Sequence, residues 1–161
     1  DFDMARFLAG SEVTEVFACG AVLVDPAIGE AGDVDTAVVT LKFANGAMGV
    51  IDNSRKAVYG YDQRVEVFGS AGAVMDCNDT PDNAVFWGAD GSVSSPCYKI
   101  MWDRYTDAFA AEQRAFADAV IHDTEPLVAG EDGLYPILIA AAAIKSLKEG
   151  RPVKISEIEA G

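Results

Sequence analysis

One histidine, three cysteines and twelve lysines and arginines in 161 residues leave this chain short of the groups that many chemistries require. The lone His122 stands beside Asp123 near a predicted helix end, and as a ligand or general base it would need partners that the sequence does not supply. It reads as a surface helix-end residue. Cys19, Cys77 and Cys97 are odd in number, scattered and never in a Cys-x-x-Cys pair, so neither a disulfide framework nor a metal site of zinc type is suggested. Buried free thiols in a reducing cytosol are expected. Twelve basic against 26 acidic residues give a formal net charge of −14, a field that repels phosphate backbones and anionic lipid surfaces. The longest uncharged apolar run, 134–144, is far shorter than the ~20 residues needed to span a bilayer, and no basic-then-apolar leader opens the chain. Neither nucleic acid nor membrane is therefore an expected partner, while neutral ligands such as polyols and sugars remain open.

What is present describes a folded domain. Half the residues are hydrophobic and 24% are charged, a balance typical of globular chains, and the length suits one domain with its own core. The opening Asp1-Phe-Asp-Met-Ala-Arg-Phe-Leu has no initiating methionine and enters mid-pattern. It predicts the last turns of a helix begun earlier in a longer protein. Apolar residues from Phe2 to Leu8 recur at helical spacing and Gly10 closes the run as a left-handed cap. Asp3 lies off the apolar stripe, where a solvated carboxylate is the ordinary reading.

Residues 13–24 suit a long strand with a bulge at Gly20, and 25–33 collect Pro, Gly and acids as a loop. In 36–43, Thr36, Val38, Thr40 and Lys42 face one way and Ala37, Val39, Leu41 and Phe43 the other. Asn45-Gly46 predicts a type I′ hairpin leading into a partner strand over 47–54. A second hairpin is expected from 63–69 through Ser70-Ala71-Gly72 into 73–77, and a third around Ala89-Asp90-Gly91, giving a mostly antiparallel meander. Gly69-x-x-Gly72 lacks both the Lys-Ser/Thr of a P-loop and the third glycine of a dinucleotide fingerprint, so it reads as a turn. Residues 103–120 form an amphipathic helix with Tyr105, Phe109, Phe116 and Val120 near one face. An Ala-rich helix over 134–147 should hold Pro136 in its first turn and stop at Gly150, before a last edge strand over 151–155. The fold class expected is α+β: an open, predominantly antiparallel sheet covered on one face by helices. Strands apolar on both sides predict that the other face meets a further subunit.

The stretch Tyr59-Gly-Tyr-Asp-Gln-Arg-Val-Glu-Val-Phe-Gly-Ser-Ala-Gly72 sets two phenols around a glycine directly before a strand. Each phenol joins an apolar ring to a polar tip, so the pair suits either a ligand or a sheet cap.

Taken with Phe43-Ala-Asn-Gly46, Asp52-Asn-Ser-Arg55, Ala129-Gly-Glu-Asp-Gly-Leu134 and Gly150-Arg-Pro-Val153, that stretch and the opening residues resemble the C-terminal domain of the glucose–fructose oxidoreductase/inositol dehydrogenase (Gfo/Idh/MocA) family. The resemblance runs from the first residue to the last strand. It implies that residues 1–161 are a substrate-binding and oligomerisation domain whose NAD- or NADP-binding Rossmann domain, catalytic lysine and Asp-x-x-x-His pair lie upstream. No catalytic, cofactor-binding or metal residue is then expected in this chain, and alone it should be inactive. It also implies substrate contact by Asp3, on the helix face shared with the upstream histidine, by Tyr61 and Tyr59 from the sheet side, and by Phe109 where relatives often carry tyrosine. The Tyr-Gly-Tyr-Asp piece points toward inositol, with hydride transfer to NAD in a cytoplasmic homodimer or tetramer. Two alternatives stay open: a same-family oxidoreductase for another sugar or polyol, and a non-catalytic dimerisation module.

Overall fold

The computed structural model describes residues 1–159. In chain order the elements are α1 (Phe2–Ala9), β1 (Val13–Ala21), α2 (Pro26–Glu30), β2 (Thr36–Phe43), β3 (Met48–Ser54), β4 (Val65–Gly69), β5 (Gly72–Asp76), β6 (Val85–Gly88), β7 (Gly91–Ser94), α3 (Met101–Arg104), α4 (Thr106–His122), α5 (Gly130–Glu149), β8 (Val153–Lys154) and α6 (Ser156–Glu159). They group into two compact units, one built from Asp1–Lys56 with the residues from Val128 onward and the other from Ala57–Leu127.

The first unit holds an open antiparallel sheet in the order β3-β2-β1-β8. The predicted alternation of β2 is observed: Val39, Leu41 and Phe43 are buried, while Val38 on the opposite face is exposed. With Val13, Val16, Ala18, Val153 and Ile155 they form the core against Ile139, Ala142 and Ala143 of α5. These α5 positions, with Ser146, recur at i, i+3, i+4 and i+7, the spacing of a single helix face. Ser146 is fully buried. Its hydroxyl donates to the Arg151 carbonyl at 2.6 Å and accepts the Ala18 N–H at 3.0 Å. Since β8 pairs only with Glu15 and Val16, this hydroxyl satisfies a β1 amide just past the end of the edge strand. Gly10 (φ 57) and Gly150 (φ 64) cap α1 and α5 in the left-handed region as expected.

Several local expectations are corrected. The irregularity in β1 falls between Val13 and Glu15, and Gly20 stays in register with Ala37. A Cβ at Gly20 would stand 3.1 Å from Val34 and 3.4 Å from Leu147, so the glycine serves close packing rather than a bulge. Residues 25–33 are not wholly loop, because Asp25 accepts the Ala27 N–H at 3.0 Å and starts the short helix α2 with Pro26 in its first turn. The Asn45-Gly46 hairpin is not type I′. Gly46 has φ 89 while Asn45 is not in the positive region, and the Gly46 N–H donates to the Phe43 carbonyl, a turn completed by a left-handed glycine. Helix α5 begins at Gly130, drawn earlier by Asp132, which accepts the Ala129 N–H at 2.8 Å, so Pro136 lies inside the helix and not in its first turn.

In the second unit β4 pairs with β5, with Gly69 opposite Gly72, and β6 pairs with β7. The two hairpins form separate two-stranded sheets and not one meander. The helix expected over 103–120 is broken at Tyr105, and in α4 the buried residue is Ala119 while Phe116 and Val120 are exposed. His122 ends α4, and its ring meets the Asp118 carbonyl at 2.8 Å. The three thiols are free but not buried: Cys19 and Cys77 are exposed and Cys97 is intermediate.

Replacing Ser146 by Ala should cost about 1–3 kcal/mol in urea unfolding, because it strands a buried N–H and a carbonyl together. Asp35 supplies a pH dependence. Burial pushes its carboxyl up, but the backbone N–H groups of Leu23, Asp25 and Val24 and the Thr36 hydroxyl outweigh that and hold it down to about 2. The folded value lies below the ordinary value of about 3.9, so the stability it contributes is present above pH ~4 and lost as pH falls through about 2. Melting curves should therefore show the gap between the wild type and Asp35→Asn closing between pH 4 and 2.

Candidate substrate-binding site

The tyrosine stretch opens the second unit. Gly60 has φ 142, and a Cβ there would meet Cys97 Sγ at 2.6 Å and the Tyr98 carbonyl at 2.7 Å. Only glycine suits this point, where the chain runs against 97–98. The Tyr61 N–H donates to the Tyr98 carbonyl at 2.7 Å and Cys97 Sγ lies 3.3 Å from the Tyr59 carbonyl. The backbone between the two phenols is therefore clamped.

Tyr61 belongs to an aromatic cluster. Its ring meets Tyr105 edge-on at 5.8 Å, Tyr105 meets Phe109 at 6.4 Å, and Phe109 meets Trp102 at 5.5 Å. Two predicted residues, Tyr61 and Phe109, are thus joined through Tyr105. Burial, with the nearby Tyr105, pushes the Tyr61 hydroxyl above its ordinary range. Tyr59 stands apart: its hydroxyl donates to Asp62 Oδ2, a bond that raises its own pKa. Asp62 accepts two bonds from Arg64, Nε and Nη2 at 2.8 Å each, and one from Asn78 Nδ2 at 2.6 Å. Donation from Arg64, Tyr59 and Asn78 outweighs burial and holds the carboxyl far below the usual range.

Arg104, whose guanidinium lies 5.5 Å from the centre of the Tyr105 ring, has a side chain only 5% exposed and pairs through Nη1 with Asp79 at 3.1 Å. Its Nη2 donates to the Gln63 carbonyl at 3.2 Å, and Tyr105 donates to Gln63 Oε1 at 2.6 Å. An open polar cleft of about 420 Å³ is lined by Asp79, Thr80, Tyr98, Asp103, Arg104, Thr106 and Asp107. None of the predicted site residues lines it.

Asp3 lies in the first unit, on α1, and is not merely solvated. Its Oδ1 accepts Arg6 Nη1 at 2.9 Å. Arg6, 8% exposed, also donates Nε and Nη2 to the two oxygens of Glu12 at 2.8 Å and stacks 4.7 Å above the Tyr135 ring. Arg6 escaped the sequence reading although its i+3 spacing from Asp3 is a recognisable ion-pair signal. The bonds that gather Asp62, Gln63, Arg64, Asn78 and Tyr105 around the two tyrosines were also not foreseen. Among the described residues no group of three or more His, Cys, Asp or Glu side chains is placed to hold a metal ion.

Residues 1–155 match the Gfo/Idh/MocA oxidoreductase family, C-terminal alpha/beta domain. The chain belongs to that family. It is 51% identical over 158 residues to the myo-inositol 2-dehydrogenase of Thermotoga maritima, covering 98% of this chain and 47% of that protein. It is 45% identical over 156 residues to the inositol 2-dehydrogenase of Rhizobium meliloti, covering 97% of this chain and 47% of that protein. A crystal structure of a probable dehydrogenase from Thermotoga maritima superposes with a TM-score of 0.95 at 51% identity, over 98% of this chain and 47% of that one. The chain thus spans about half the length of the curated relatives it matches.

Gly60→Ala should cost about 2 kcal/mol or more in chemical unfolding, because it adds both a backbone penalty and a clash with Cys97 and Tyr98. A variant as stable as the wild type would contradict the clamp.

Proposed function

We propose that this chain is the substrate-binding and oligomerisation domain of an NAD-dependent polyol dehydrogenase, an inositol 2-dehydrogenase that oxidises myo-inositol to its 2-keto form. The observation that carries this reading is the 51% identity with a myo-inositol 2-dehydrogenase across 98% of the chain. Asp3, Tyr59, Tyr61 and Phe109 are the proposed substrate contacts. A carboxylate such as Asp3 accepts from neighbouring ring hydroxyls, and the phenols add polar tips on apolar rings. The second oxygen of Asp3 has no bond to Arg6, which suits that task.

The glycine pair Gly69 and Gly72 does not fit the pyrophosphate of a nicotinamide cofactor. Gly69 and Gly72 close the β4–β5 hairpin, so no helix N-terminus follows the glycines to receive a pyrophosphate. NAD binding, the lysine and the histidine base are assigned to a preceding domain, and the role of this chain is to bind and orient the polyol. Met48, Val50 and Val38 lie exposed on the sheet face turned away from α5, which supports assembly of a cytoplasmic homodimer or tetramer through that face.

Residues 1–161 alone, mixed with NAD and myo-inositol, should form no NADH; turnover would overturn the assignment of the reacting groups to the preceding domain. In the full-length protein NADH formation should favour myo-inositol over hexoses. Asp3→Asn should raise the KM for inositol about tenfold or more, the order expected when a charged hydrogen-bond partner is lost. Phe109 offers a polyol no hydroxyl, and a hexose preference would favour the reading as an oxidoreductase for another sugar.

A further inference from the structure

A phenol carries one proton and two lone pairs, so what Tyr59 can offer a ligand depends on where its proton is spent. It is spent on Asp62 Oδ2. Asp62 has no proton to return, because Oδ1 receives Arg64 Nε and Asn78 Nδ2 while Oδ2 also receives Arg64 Nη2. The Asn78 amide cannot reverse this polarity: its oxygen accepts the Gln63 N–H at 2.8 Å, which turns its nitrogen toward Asp62. Tyr59 is 52% exposed, and once its proton is given to Asp62 its oxygen has only lone pairs to offer. At Tyr105 the proton goes likewise to Gln63 Oε1, but its hydroxyl is engaged by Tyr61 and Arg104, so the acceptor offered outward is that of Tyr59.

We propose that Asp62 is a positioning residue that makes Tyr59 a hydrogen-bond acceptor, so that it reads a free hydroxyl group and rejects a fluorine, ether or carbonyl at the same ring position. The inference rests on the reading of Tyr59 as a polyol contact and adds which polar groups that contact accepts. A site whose acceptors face a group unable to donate leaves them unpaired, and such mismatches discriminate more strongly than a lost methylene does.

The test uses the full-length protein and a set of monofluoro-monodeoxy inositols, in which fluorine replaces one hydroxyl at nearly constant size, with binding measured by calorimetry. In the wild type at least one ring position should show weakening of about tenfold or more relative to myo-inositol. Asp62→Asn should keep its amide oxygen on the Oδ1 side, where both donors, Arg64 Nε and Asn78 Nδ2, have no lone pair to offer instead, and turn its NH₂ toward Tyr59, whose oxygen can accept, at the loss of the Arg64 Nη2 bond. The Tyr59 proton then swings outward, and the penalty at that position should fall to within about threefold, while the binding of myo-inositol weakens. Tyr59→Phe should erase the difference at that position. Equal binding of every fluoro analogue by the wild type overturns the proposal, as does an unchanged penalty in a folded Asp62→Asn protein. If Asp62→Asn does not fold, Tyr59→Phe decides, and a penalty that persists there overturns it. Failure of the wild type to bind any inositol would overturn the polyol reading itself, and the two failures are thereby distinguished.

Discussion

The close approach of α5 to β1 is the contact on which the first unit depends. Ala142 and Ala143 present only methyl groups, and Gly20 presents nothing where Val34 and Leu147 come near. A helix can sit this close to a strand only where side chains are small, because interiors are packed to crystal-like density and an added methylene must displace a neighbour. Proximity then creates an obligation. The Ala18 amide lies beyond the reach of the short β8, and Ser146 supplies the hydrogen bond that an absent strand residue would have given. One hydroxyl thereby joins helix, central strand and the approach to the edge strand.

In a chain of net charge −14, the scarce cations are spent on fixing particular carboxylates. Arg6 holds Glu12 through two bonds and Asp3 through one. Arg64 holds Asp62 in the same two-pronged way, where guanidinium geometry matches the carboxylate as lysine could not. Asp35 reaches a similar result without a cation, by collecting three backbone N–H groups. Each carboxylate is thereby held as an oriented acceptor.

Much of the architecture was legible because it follows from periodicity and from backbone rules. The alternation in β2, the helical spacing in α1 and the left-handed caps at Gly10 and Gly150 are consequences of neighbouring residues. The misreadings arise where a contact, distant or local, overrides the simplest reading of a pattern. Gly20 looked like a bulge and is a packing accommodation. Phe116 and Val120 looked like a buried stripe and are exposed, while Ala119 is buried. Pro136 was placed by the apolar run, whereas the start of the helix was set by Asp132 bonding to Ala129.

The candidate site divides in the same way. The residue types and their order, with tyrosines around a glycine ahead of a strand and a carboxylate on the opening helix, were decided by the sequence, which also carries the family resemblance. Only the tertiary structure decided the polarity of those groups. A hydroxyl can donate or accept, and which it does is settled by partners far along the chain: Asn78 orders Asp62, Asp62 takes the Tyr59 proton, and Tyr105 meets both Gln63 and Tyr61. Hydrogen-bond direction belongs to the network and not to any one residue, so no local pattern in the sequence could have revealed it.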